Sequence, residues 1–262
     1  MRRYGEQMGR PLAPADYPGC PVTVTQAVAQ GRVLVPPRWG LWDVFWALMA
    51  AIFIGVGVGG LLYLIDAPIA VQVLLGTTAP WLAFAGWPIL TTRWRGNGPV
   101  IDLGLSLTWP DAGWGLLGGV ASIMCAAIAA AITTRFVPDL SSAAGDAGDL
   151  LAKEGNRLTV LAFTVVVMVL APIVEELFFR GLFFAALRKR GITTVMSVLI
   201  TGVVFAGFHF EPVRFFVLLP TGIILGVVRA RTGSTGASMV AHGVVNAPGA
   251  LLFLLGGPGM SP

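Results

Sequence analysis

Ala171-Pro172-Ile173-Val174-Glu175-Glu176-Leu177-Phe178-Phe179-Arg180-Gly181 places three ionisable side chains within six residues, inside the stretch 158–187 that carries no other Asp, Glu, Lys or Arg. A charge at the centre of a bilayer costs roughly 2.5–3.5 kcal/mol on insertion scales. Such groups must therefore pair, face protein, or do chemistry. On a helix, residues four apart share a face, and an acid N-terminal to its cation is the better order. That spacing pairs Glu176 with Arg180. Glu175 is turned about 100° away and has no partner on its own helix. A structural ion pair explains Glu176 and Arg180 but leaves Glu175, which becomes a candidate for proton chemistry. Pro172 removes the N–H that would bond the Met168 carbonyl, so a kink is expected one turn before Glu175.

Working outward, the 262 residues are 56% hydrophobic and 11% charged. This predicts an all-α polytopic membrane protein with about seven to eight transmembrane helices. The net charge of +4 comes from Arg and Lys at span ends and forms no nucleic-acid patch; the expected partners are the lipid bilayer and a membrane-associated protein or peptide. Cys20 and Cys125 suggest no disulfide framework, and no CxxC or Cys/His zinc pattern is present. Residues 1–38 hold six prolines and no apolar run, and read as a disordered cytoplasmic tail. N-terminal transmembrane helices fill 39–137. The first runs over 41–65, with Trp39, Trp42 and Trp46 as interfacial anchors and Gly55-xxx-Gly59 suited to helix contact. The second covers 69–92 and the third 113–137, separated by a non-spanning segment over 96–112. The acidic stretch 138–157 reads as a solvated loop. Residues 158–256 form a second unit. Its first span ends at Arg188-Lys189-Arg190, and further spans cover 191–210, 213–228 (with Gly222-xxx-Gly226) and 235–255.

Basic clusters in the tail, at Arg93/Arg95, at 188–190 and at Arg229/Arg231 fall on one side of seven alternating spans, and the acidic loop falls on the other. The positive-inside rule then predicts a multi-pass cell-membrane protein with a cytoplasmic N-terminus.

The chain has two histidines, both at or in apolar spans: His209 closes Phe205-xxx-His209, and His242 shares a helix face with Asn246. With the Glu pair they suggest water activation. A buried Glu acts as general base with a His sharing the proton, while a second His and an amide stabilise an oxyanion. Ser197 and Ser238 lack any activating pattern. Two His and one Glu from three helices could also hold zinc, so metal stays open as the alternative to a cofactor-free site. A proton-relay transporter would carry inverted repeats, and none is visible.

Glu175-Glu176-xxx-Arg180, Phe205-xxx-His209 and His242-xxx-Asn246, in that order on successive apolar segments, resemble the CPBP family of CAAX-processing, Rce1-type and bacteriocin-processing (ABI) intramembrane endopeptidases. The resemblance covers about 158–250. It implies a four-helix catalytic core around a polar cavity and peptide hydrolysis by a glutamate-activated water, with a zinc-dependent version of the same protease as the alternative. In that case Glu175 and His209 activate water, His242 and Asn246 form the oxyanion site, and Glu176 and Arg180 support it. A non-catalytic immunity or scaffold protein is the rival reading.

One expectation conflicts with the rest. At 1.5 Å per residue, Glu175, His209 and His242 lie about 20, 28 and 15 Å from the basic ends of their spans, and straight upright helices would not bring them together.

Overall fold

The computed structural model describes residues 21–138, 140–154 and 157–255. Among these residues, ten helices follow in order: α1 (Val22–Ala29), α2 (Leu41–Leu64), α3 (Ile69–Arg95, with a turn at 79–80), α4 (Pro99–Asp102), α5 (Trp109–Thr133), α6 (Ala143–Glu154), α7 (Arg157–Lys189), α8 (Thr194–Phe208), α9 (Phe215–Thr232) and α10 (Thr235–Leu255). Six of them, α2, α3, α5, α7, α9 and α10, are long and apolar enough to cross a membrane; α8 is a shorter seventh apolar helix. No strand occurs among the described residues. The chain is an all-α polytopic membrane protein, as its composition implied.

The bundle has two chemically distinct ends. At the basic end, Lys189 donates to the carbonyls of Pro37 and Trp39, and Arg38 N–H donates to the Arg95 carbonyl at 2.7 Å. These bonds gather the start of α2 and the ends of α3 and α7. At the opposite end lies α6, whose first amide, Ala143 N–H, donates to Glu211 Oε1 at 2.5 Å. Leu151 of α6 is buried with Val160 and Phe163 of α7 and packs against Phe253 of α10. The acidic stretch is thus not a solvated loop throughout: an amphipathic helix in it covers the end of the bundle.

Three further expectations change. The tail is not unstructured over 21–38. There α1 buries Val24 and Ala27 with Leu34 and Ile101, and Thr23 Oγ1 donates to the Ile101 carbonyl at 3.0 Å; residues 1–20, and residue 256 at the other boundary, lie outside the described residues. Trp39 is not an interfacial anchor like the exposed Trp42 and Trp46. It is fully buried and donates Nε1–H to Asp102 Oδ2 at 2.6 Å. An indole buried whole needs a partner for its N–H, and Asp102 supplies it. Of Gly55 and Gly59, the first packs on Pro80 of α3 and the second meets no neighbour, so only Gly55 serves a helix contact.

The segment 96–108 does not span, as expected, but it turns inward. Leu103 is fully buried against Gly181 of α7. Its carbonyl accepts from Thr235 Oγ1 at 2.5 Å, the Gly104 carbonyl accepts from Thr235 N–H at 2.9 Å, and the Ser106 carbonyl accepts from Ser234 Oγ at 2.6 Å. Helix α10 therefore begins inside the protein, on a plug supplied by the N-terminal half.

Helix α5 packs along α9 and α10 through Gly115, Gly118, Gly119 and Ser122, all buried. A Cβ on Gly118 would lie 2.4 Å from Val228 Cγ2, and one on Gly119 would lie 2.5 Å from Val244 Cβ. Close approach of this kind is how helices associate where burial from water offers no drive. Gly119→Val is expected to destabilise by about 1–3 kcal/mol through overpacking, while Gly57→Val, at a position with nothing within 4 Å, changes little. Thermal unfolding of both variants in detergent checks this; equal melting temperatures would contradict the packing.

Candidate active site

Helix α7 carries the decisive irregularity. Its turn Val166–Leu170 is π-helical, and Ala171 N–H bonds the Val166 carbonyl five residues back. In that register the next donor, for the Val167 carbonyl, would be residue 172, and Pro172 has no N–H. The Val167 carbonyl is orphaned by the sequence and is taken up by Asn246 Nδ2 of α10 at 2.9 Å. This is the repair that lets a proline persist in a membrane helix. It also commits one of the two N–H groups of the Asn246 amide and leaves the other. A second π segment, Leu177–Phe183, follows Glu176; such bulges recur at functional sites.

The Glu176–Arg180 pair forms at 2.7 Å, with both side chains fully buried. The same carboxylate oxygen, Glu176 Oε1, also meets His242 Nδ1 at 3.0 Å, a contact that spacing along one helix could not reveal. Arg180 continues the network. Its Nη2 donates to the Gly222 carbonyl of α9 at 2.7 Å, and its guanidinium lies 4.7 Å from the centre of the Phe205 ring of α8. Phe205 in turn packs edge-on to both imidazoles, at 4.9 Å from His209 and 5.5 Å from His242. That ring was visible in the sequence only as the first residue of a motif.

Each histidine is oriented through Nδ1. His209 Nδ1 lies 2.8 Å from the Phe205 carbonyl. A carbonyl can only accept, so Nδ1 carries the proton and Nε2 of a neutral ring is a base. His242 Nδ1 faces a carboxylate, which likewise turns Nε2 away from the pair. Glu175 is half-buried, and its buried Oε2 has no hydrogen-bond partner.

Two adjoining cavities, of about 430 and 310 Å³, hold these groups. Glu175 and His209 line the first; His209, His242 and Asn246 line the second; Val167 and Arg214 line both. Arg214 pairs with Glu211 at 3.0 Å on the rim. Neither residue carries a sequence signal beyond lying just after His209. Among the described residues, no three His, Cys, Asp or Glu side chains come close enough together to hold a metal ion.

The conflict of depths is resolved by where the helices start. Helix α8 begins at Thr194, with Thr193 Oγ1 capping Met196 N–H, which puts His209 about 22 Å from the basic end. Glu175 lies about 21 Å from Lys189 by the same rise. Thr235 sits on the plug that contacts Gly181, about 12 Å in, and seven further residues bring His242 to about 22 Å. The buried start of α10 makes up the difference, and the direct Glu176–His242 contact confirms that the levels match.

Asn246→Leu is expected to leave the part-buried Val167 carbonyl unpaired, costing about 1–3 kcal/mol. Asn246→Asp should cost at least as much, because it sets acceptor against acceptor. Melting temperatures in detergent test this; a Leu variant as stable as the parent would remove the amide from its bracing role.

No curated protein and no solved structure matches the chain. Residues 157–248, about a third of its length, match the family model described as type II CAAX prenyl endopeptidase Rce1-like. That segment holds Glu175, Glu176, Arg180, His209, His242 and Asn246, and over it the chain is similar to the Rce1-like family of CAAX-type proteases.

Proposed function

We propose that the protein is an intramembrane endopeptidase that hydrolyses peptide bonds of membrane-associated proteins or peptides with a water activated by Glu175 and His209. The observation that carries this reading is the unpartnered, buried Oε2 of Glu175, in a cavity shared with a histidine whose Nδ1 is already tied to a carbonyl. A structural acid would be paired, whereas this one is free to take a proton.

The steps follow from the atoms. Water attacks the carbonyl carbon as its proton passes to Glu175, with the Nε2 lone pair of His209 as a second proton site. The oxyanion is held by His242 from its Nε2 side and by the second N–H of Asn246. The C–N bond then breaks, and the leaving amine recovers the proton from Glu175 or His209. Glu176 and Arg180 act as positioning residues: they hold His242 through Nδ1 and hold α9 through the Gly222 carbonyl. No step needs a cofactor. The protein lies in the cell membrane with its basic end, and hence its N-terminus, on the cytoplasmic side, as the positive-inside rule requires.

Glu175→Gln separates this reading from an immunity or scaffold role. Gln preserves size but cannot take the proton, so cleavage of a membrane-anchored reporter by purified protein should fall by about 10²–10⁴-fold. Loss of a buried charge leaves the fold as stable or more so, and substrate binding is unchanged. Full cleavage by the variant would discard the glutamate mechanism; binding without cleavage by the parent across many substrates would favour the scaffold. Exhaustive chelation is expected to leave turnover intact, and activity lost on chelation and restored by zinc alone would assign the reaction to a metal.

A further inference from the structure

Both cavities open toward one end of the bundle. Their rim is built from Ala143, Ala144, Gly145 and Ala147 of α6, from Ser142 just before its start, and from Glu211 and Arg214 in the turn after α8. Their floor is Phe84, Phe179 and Phe205. Below that floor the protein is closed: Phe178, Leu182, Phe184 and Leu187 of α7, Leu103 of the plug and Arg229 of α9 are all buried. No residue from the basic helix ends lines either cavity. By helix rise, Glu175 lies about 21 Å above the basic end of α7. A hydrocarbon core of about 30 Å then leaves about 9 Å to the other face.

Basic residues mark the cytoplasmic side of a membrane protein. We infer that the site takes its substrate from the non-cytoplasmic face, so that its substrates are polypeptide segments exposed on that side, close to a membrane anchor: exported peptides or outward-facing juxtamembrane stretches. The inference rests on the protease reading for what happens to the segment, but not for the face from which it enters. The rim offers such a segment a defined contact. Arg214 spends Nη1 on Glu211 and its remaining guanidinium N–H groups have no partner among the described residues, so they can hold a backbone carbonyl or a carboxylate. The amide of Ala143 held by Glu211 ties α6 to that rim, and Arg214 lines both cavities together with His209.

The face is tested without catalysis. In a background with Cys20→Ser and Cys125→Ser, Ala144→Cys reports the exposed rim and Val35→Cys the exposed basic end. A membrane-impermeant maleimide on intact cells should label the Ala144→Cys protein and spare the Val35→Cys protein, and inside-out vesicles should reverse the pattern. Labelling at position 144 only in inside-out vesicles overturns the inference. In a second arm, a single-span reporter carries the same cleavable segment on either side of its anchor. Cleavage restricted to the non-cytoplasmic version, and lost with Glu175→Gln, is expected; cleavage restricted to the cytoplasmic version overturns it. If neither reporter is cut while position 144 is labelled from outside, the face of entry stands and the protease reading falls.

Discussion

One carboxylate oxygen holds the functional half of this protein together. Glu176 Oε1 accepts from Arg180 on its own helix and from His242 on α10, and the same Arg180 reaches the Gly222 carbonyl of α9 and lies over Phe205 of α8. Four helices are thus referenced to one buried point. In hydrocarbon this is an effective device, because lipid competes poorly for hydrogen bonds and an unpaired charge has nowhere to go. Breaking the network from either side leaves an ion stranded, at a cost of about 3–5 kcal/mol, so the geometry of His242 is enforced by the same energy that keeps the bundle closed. Glu175, one residue earlier, is excluded from the network, and its buried Oε2 is left without a hydrogen-bond partner.

Much of this was legible in the chain, and the boundary is physical. Contacts made along a single helix follow from spacing, so the Glu176–Arg180 pair and the outlier Glu175 could be read directly. Contacts between helices could not. Nothing in the spacing of residues 176 and 242 shows that they touch, or that Asn246 answers a carbonyl freed by Pro172. The kink itself was foreseeable from the missing N–H; the partner that repairs it lies 79 residues away.

Composition misled in two places, for related reasons. Trp39 looked like an interface anchor because tryptophans near span ends usually are, yet Asp102 gives its N–H a buried partner. The 138–157 stretch looked solvated because it is acidic, yet Ala147, Gly148 and Leu151 give α6 an inward side that meets Val160, Phe163 and Phe253. A stronger signal went unread: Gly115, Gly118 and Gly119 on α5, with Ser122 a turn later, form a face without bulk that meets the backbone and side chains of α9 and α10.

The plug at Leu103–Ser106 bears on what counts as a module. The family match spans 157–248, which invites treating that stretch as a transplantable catalytic cassette. Yet α10 starts on carbonyls from 103, 104 and 106, and α9 lies against the glycine face of α5. Cut free of them, the cassette would lose the support that sets the level of His242, and with it the register between imidazole and glutamate. The boundary between the two halves is one of sequence; mechanically they are a single part.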